Sequence, residues 1–355
     1  MHYKKIVSAL CSGPLPTTIS SVHPSGNLEV SELVISSARK LAQQIHANIL
    51  VKSGKPHAHH ATSTCVLGYG RSLYGGGYFL AENPPWSIPA SKVALSVLTS
   101  LNMLTERIPL IFWYDPIGQR TLLDFVLSEL EMLRPFVHTK TVLFDLGTLE
   151  QIKLEDIFPN HLMAFAEAHA PVSILPRGYQ PKHATTGVIR AKIVPVPEKI
   201  DDQRIIELLL PDLKLAVAHS YSNGVDRPIR KAHSAAILIK NDDALDIVIA
   251  KNFRHPTIGY LGRCAEAIGV AFAQSEGLFL TKHQIDHVVV YSPDYRSRDT
   301  SDLHPPAVCG TCESVISSYG GENSAGVLIT TLSDTTQSHY RVLHGLYSQL
   351  EKVIV

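Results

Sequence analysis

Apolar and polar positions set out a series of alternating helices and strands along this chain. Over residues 30–45, Leu33, Val34, Ala38, Leu41, Ala42 and Ile45 recur every three or four positions, which predicts a helix with one buried face. Residues 62–67 read as a strand, 68–77 as a glycine-rich turn, and Tyr78-Phe79-Leu80 as the returning strand. A helix over 90–104, a strand over 108–114, a helix over 122–133 and a strand over 139–145 follow. The second half has the same order. A helix over 205–218 leads into a hairpin of 233–240 and 244–251, turning at Asn241-Asp242-Asp243. A helix over 264–274, a strand over 285–291, a helix over 309–318 and a strand over 326–332 complete it. Alternation of this kind predicts the α/β class, each half a mixed central sheet flanked by helices.

Local echoes strengthen the parallel. Lys40-Leu41-Ala42 answers Lys214-Leu215-Ala216, and Lys55-Pro56 answers Arg227-Pro228. Ala81-Glu82-Asn83 answers Ala250-Lys251-Asn252, and Tyr114-Asp115-Pro116 answers Tyr291-Ser292-Pro293. Their common order predicts a tandem duplication. The expected organisation is an arm with little structure over 1–28, a first domain over 29–170, a linker over 171–199 and a second domain over 200–355. Pro171, Pro176, Pro181, Pro195 and Pro197 punctuate the linker, and its middle, 186–194, reads as an edge strand.

The chemistry concentrates in the second half. Three of the five cysteines lie in two short runs, Cys264-Ala265-Glu266 and Cys309-Gly310-Thr311-Cys312. Three thiolates can hold a tetrahedral zinc ion and leave a fourth position open for water, as a catalytic site requires. Zinc makes water acidic enough to act near neutral pH. Glu266, two residues beyond Cys264, lies within one helical turn and is placed to carry the proton rather than to bind the metal. Thiolates at helix N-termini are favoured by the positive end of the helix dipole. A redox pair, half of a structural zinc site completed by Cys11 or Cys65, or plain core cysteines are the alternatives.

These motifs resemble the cytidine deaminase family, the zinc-dependent nucleoside deaminases that carry C-x-E and C-x-x-C. The resemblance spans about 204–350 and includes Ala273-Gln274-Ser275-Glu276-Gly277 at the end of the first motif's helix. It implies zinc ligands Cys264, Cys309 and Cys312, with Glu266 as proton shuttle. It also implies a sugar contact at Asn252, with Arg254 two residues on; Phe253, His255 and Tyr260 are candidates to stack on the base or line the pocket, core packing being the alternative. The family usually has a glutamate where Arg254 stands. An arginine cannot accept a hydrogen bond from a sugar hydroxyl, but it can hold a phosphate or carboxylate. Val308 replaces the usual proline before C-x-x-C, and Glu313 replaces the usual arginine after it, which leaves Arg263 as the nearest cation to offset thiolate charge. The 45 residues separating Cys264 from Cys309 include an expected insertion over 294–304.

In the first half, Ala90-Ser91-Lys92 is expected opposite Cys264-Ala265-Glu266, so that Lys92 stands where the proton shuttle would be. That half has no thiolate set and reads as a pseudo-catalytic domain. The family resemblance implies one Zn2+ per chain, a small-molecule pyrimidine nucleoside or nucleotide as partner, and a homodimer of chains.

Composition narrows the alternatives. Basic and aromatic residues would mark a polynucleotide deaminase, but 32 basic residues balance 32 acidic ones and aromatics are 7% of the chain. Arg227, Arg230 and Lys231 form only a small basic cluster. A C-to-U editing deaminase and a non-enzymatic zinc protein stand as the alternatives. No apolar run reaches membrane-span length and no signal peptide is read at the N-terminus, so a cytoplasmic location in a reducing compartment is expected. His57, His59 and His60 read as a polar loop.

Overall fold

The structure is a computed structural model that describes residues 2–7, 11–12, 30, 32–53, 63–69, 72–80, 87–100, 107–117, 121–122, 125, 129, 132–154, 189–194, 202–217, 233–241, 244–253, 262–279, 284–292, 310–317, 319, 325–331 and 340–346. Thirteen strands and five α-helices are built from them. The strands are β1 (His2–Val7), β2 (Cys11–Ser12), β3 (Thr64–Tyr69), β4 (Ser72–Gly77), β5 (Ile108–Tyr114), β6 (Val137–Asp145) and β7 (Gln151–Lys153). They continue as β8 (Ile189–Val194), β9 (Ser234–Asn241), β10 (Ala244–Lys251), β11 (Gln284–Ser292), β12 (Ala325–Thr331) and β13 (Tyr340–Leu346). The helices are α1 (Glu32–Ser53), α2 (Ala90–Ser100), α3 (Asp202–Val217), α4 (Ala265–Ser275) and α5 (Gly310–Ser317). Leu122, Phe125, Glu129, Met132 and Leu133 are also helical, and Arg134–Phe136 form a 3₁₀ turn.

Two mixed sheets result. One has the order β2-β4-β3-β5-β6-β7 and the other β1-β8-β10-β9-β11-β12-β13. The two follow one plan. In each, an antiparallel hairpin (β3–β4, β9–β10) lies beside an antiparallel strand (β5, β11). That strand pairs in parallel with the next (β6, β12), which carries an antiparallel outer strand (β7, β13).

The middle of the second sheet is covered on both faces, and this is why β9 and β10 are nearly continuous apolar runs. In β9, Ala235, Ile237 and Ile239 join the core beneath α4, while Ala236 and Leu238 pack with Leu209 and Leu213 of α3 on the opposite face. The core beneath α4 continues into the first half without a break, through Phe253, Phe272, Phe79 and Trp113. Polar contacts tie the halves as well. The Asn48 side chain of α1 donates to the Ser275 carbonyl at 2.8 Å, and the Gln274 amide donates to the Tyr78 carbonyl at 3.4 Å. At the end of α4, Gly277 has φ +74, the Leu278 N–H reaches the Ala273 carbonyl at 2.9 Å and the Gly277 N–H reaches the Gln274 carbonyl at 3.0 Å. This is a Schellman stop, which needs a residue at ease with positive φ.

Four expectations are corrected. The glycine-rich stretch before Tyr78 is not wholly a turn, because β4 runs through Gly75, Gly76 and Gly77. Close packing requires glycine at Gly76, where a Cβ would run into the backbone of Val93 and Ala94 in α2; one on Gly75 would press on Ile45 and one on Gly77 on Ile49 and Ile45 of α1. The returning strand at 78–80 reduces to one bridge between Phe79 and Ile88. The N-terminal stretch is not free of structure, since β1 pairs with β8 and β2 with β4. For the same reason β8 lies inside the sheet, between β1 and β10, rather than at its edge.

Candidate active site

The site is built where three segments are fastened at the open end of the β9–β10 hairpin. Ser234 pairs with Lys251, which sets His233 and Asn252 opposite each other just beyond the ladder. The Asn252 N–H donates to the His233 carbonyl at 3.0 Å, and the His233 N–H donates to the Asn252 Oδ1 at 3.1 Å. The next residue, Phe253, accepts the Arg263 N–H at 3.0 Å. That bond fixes the approach to α4, whose first turn begins immediately afterwards.

Cys264 is the N-cap of α4, with extended backbone (φ −69, ψ 154), and its carbonyl accepts the Ile268 N–H at 3.1 Å. Glu266 lies in the first turn and is buried at 7% exposure. A thiol and a carboxylate are thus both held at the positive end of one helix, where anionic forms are favoured. His233 closes the group. Its Nε2 accepts the Ala265 N–H at 3.3 Å and lies 3.5 Å from the Glu266 Oε2. One donor atom from each of His233, Cys264 and Glu266 falls within 4.8 Å of the others.

Cys312 is fully buried in α5, which packs against α4, and it is not one of that group. Cys309, Arg254, His255 and Tyr260 lie outside the described residues, as does the expected insertion over 294–304. Sulfur, imidazole and carboxylate at close range form a donor set suited to zinc. Of the three cysteines expected to hold it, Cys264 belongs to this group, Cys312 does not, and Cys309 lies outside the described residues.

Two of the sequence-derived substrate contacts can be placed. Asn252 is buried and its Oδ1 is committed to the His233 backbone. The Phe253 ring is 1% exposed and packs on Phe136, with centroids 6.0 Å apart, a core position between the halves rather than an open stacking platform. Two consecutive residues on an extended segment point to opposite sides, so both could not face one pocket. His233 carries no motif of its own. The hairpin register, which pairs the residue before β9 with the residue after β10, is the signal that identifies it.

The corresponding place in the first half is chemically different. The Phe79–Ile88 bridge answers the Phe253–Arg263 bridge, and the Val93 N–H to Pro89 carbonyl bond answers Ile268 to Cys264, each at 3.1 Å. Pro89 therefore stands where Cys264 stands, and Ser91 where Glu266 stands. The expectation that Lys92 occupies the shuttle position is corrected by one residue. No local motif anchors the alignment there, and only the backbone bonds set its register. By the same bonds Tyr78 answers Asn252 and Ser63 answers His233, so the likeness of Ala81-Glu82-Asn83 to Ala250-Lys251-Asn252 is out of register. The Tyr114–Tyr291 echo is in register, because these residues pair with Thr64 and Ser234 respectively.

Ser91 donates to the Glu129 carboxylate in a short hydrogen bond. Lys92 is buried beside them. Burial first, then repulsion from Arg263, lowers its pKa to about 7 against the opposing pull of Glu129. The same burial, with Glu129 adding to it, raises the Cys65 thiol well above its ordinary range, so it stays protonated and inert.

No protein-family model matches the chain, and no curated protein matches it. Among solved structures, a cytidine deaminase from Burkholderia pseudomallei is similar over 42% of this chain and 96% of its own, with 20% sequence identity and a TM-score of 0.28. Values this low leave the chemistry to be read from the side chains themselves. Among the described residues, no helix is long and apolar enough to cross a membrane.

Proposed function

We propose that this chain is a zinc-dependent hydrolytic deaminase acting on a cytosine-type nucleoside or nucleotide, with release of ammonia. The observation that carries the reading is the convergence of Cys264, Glu266 and His233 at the first turn of α4. In this reading Cys264, Cys309 and Cys312 hold zinc. The bound ion supplies the Lewis acidity that makes water a nucleophile near neutral pH. Glu266 takes a proton from that water and delivers it to the ring and then to the leaving group. The C4–O bond forms first as the ring nitrogen takes the proton, and the C4–N4 bond then breaks as the protonated amino group leaves, giving the uracil product and ammonia. Burial of Glu266 keeps bulk water from competing for that proton.

The shared plan of the two sheets supports a tandem duplication in which the second copy keeps the chemistry. Pro89 and Ser91 supply neither thiolate nor carboxylate in the first. One close contact has been solved in opposite ways. In the first half a Cβ on the strand's Gly76 would meet the helix backbone at Ala94, whereas in the second a Cβ on the helix's Gly269 would meet the strand side chain of Ile237. Each half leaves out a Cβ where its helix crosses its sheet.

The test is ammonia release from cytidine, deoxycytidine, CMP and dCMP by the zinc-loaded protein, with Glu266→Ala alongside. Turnover that disappears in the variant supports the reading. Turnover of the phosphorylated forms alone makes Arg254 the first candidate for the phosphate contact, to be checked with Arg254→Ala. A zinc-loaded protein silent on all four refutes a deaminase of free cytosine nucleosides and nucleotides.

A further inference from the structure

We propose that the His233 imidazole is a displaceable occupant of the substrate's place, accepting the Ala265 N–H and standing beside the Glu266 carboxylate without bonding it, until a nucleobase edge takes over both. This inference rests on the deaminase reading of the site. The Ala265 N–H belongs to the first turn of α4, where backbone donors have no acceptor within the helix and need one from outside. The His233 Nε2 supplies it at 3.3 Å and lies 3.5 Å from the Glu266 Oε2. A backbone donor beside a carboxylate acceptor is the complement of a 4-aminopyrimidine edge, which offers ring acceptors next to an amino donor. Imidazole and pyrimidine are both flat heterocycles with in-plane nitrogen lone pairs, so one can stand in for the other.

The contacts are graded as a displaceable group requires. Both ring contacts are longer than the 2.9–3.0 Å typical of a good N–H···O bond. The backbone of His233 is held firmly, by bonds of 3.0 and 3.1 Å to Asn252. The ring can therefore swing about its Cα–Cβ bond while the hairpin end stays fixed. It also has somewhere to go, since its side chain is 22% exposed against 9% for that of Glu266, which it covers. In the first half the corresponding residue is Ser63, which has no ring, so the occupant is present only in the half that carries the thiol and carboxylate.

The experiment compares zinc content, KM and kcat/KM for cytidine between the full-length zinc-loaded protein and His233→Ala. The expected result is equal zinc content and a roughly tenfold fall in KM, about the worth of one neutral hydrogen bond that substrate no longer displaces. An unchanged or raised KM overturns the proposal, and so does loss of zinc, which would make the ring a metal ligand. A second measurement needs no altered active protein. Imidazole nitrogen resonances of the native protein are recorded with and without saturating uridine, His233 being assigned by its loss in His233→Gln. A His233 shift on binding supports displacement, and an unmoved signal at saturation refutes it. If no pyrimidine nucleoside binds or turns over in any form, the deaminase reading fails and this inference falls with it. Turnover with an unmoved His233 overturns the inference alone.

Discussion

Lys92→Met isolates a buried charge at the junction of the two halves. Lys92 is 3% exposed on α2, and burial with Arg263 nearby lowers its pKa from 10.5 to about 7. The unfolded chain binds that proton up to about pH 10.4. Between about 7 and 10.5 the folded chain therefore binds fewer protons than the unfolded one, so stability rises with pH across this window and is lowest below it. At 1.36 kcal/mol per pKa unit, the full effect is on the order of 5 kcal/mol, a ceiling that relaxation and water entry reduce. Methionine matches the length of the stem and does not titrate. The variant should be more stable than the native protein at pH 6 by about 2–5 kcal/mol, and that advantage should shrink steadily towards pH 10. Urea unfolding of both zinc-loaded proteins at pH 6, 8 and 9.5 reads the difference directly, because all other groups titrate in both. A difference independent of pH would refute the buried-charge argument. A variant less stable at pH 6 would show that the attraction of Glu129 outweighs desolvation.

Other expectations follow from single contacts. Gly76→Ala drives a Cβ into the backbone of Val93 and Ala94, where no flexible side chain can yield, and should lower stability by roughly 2–4 kcal/mol in the same urea assay. Leu149 is 54% exposed with φ 65, so Leu149→Gly should raise stability by about 0.5–1 kcal/mol, strain relief being partly offset by glycine's freedom in the unfolded chain. Removing zinc with a chelator should lower the thermal midpoint, by the equivalent of about 4 kcal/mol where free zinc stands at a thousand times its Kd. Calorimetry should show Cys264→Ser already near the metal-free midpoint. Glu266→Gln should keep its zinc by elemental analysis while kcat falls roughly 10²–10⁴-fold, the usual worth of general acid–base catalysis.

The apolar periodicity carried most of the architecture. β5 runs from Ile108 to Tyr114 as its pattern predicts, and the β9–β10 hairpin turns where Asn241-Asp242-Asp243 predicts. Strands and helices with one or two buried faces announce themselves by period, because each buried position must be apolar whatever its partner. The placement of Cys264 and Glu266 together was legible for a related reason, since both stand at the N-terminal end of one helix, where its dipole favours anions.

Contacts between segments distant in sequence were not legible. Three glycines in a row read as a turn because glycine permits any backbone, and only the presence of α1 and α2 on opposite faces explains them as a strand. β1 and β8 found partners across the whole length of the chain, and nothing local to them names those partners. The one-residue offset that puts Ser91 rather than Lys92 opposite Glu266 was decided by backbone bridges, not by residue likeness. His233 reached Glu266 through the register of a hairpin and the placement of a helix beginning 32 residues further on. Taken alone, the sequence pointed to Cys264 and Glu266 and to the helix that holds them, but not to His233, because composition and period are local properties. Tertiary structure decided which side chains meet, because a meeting depends on the sum of long-range pairings, and no single segment encodes that sum.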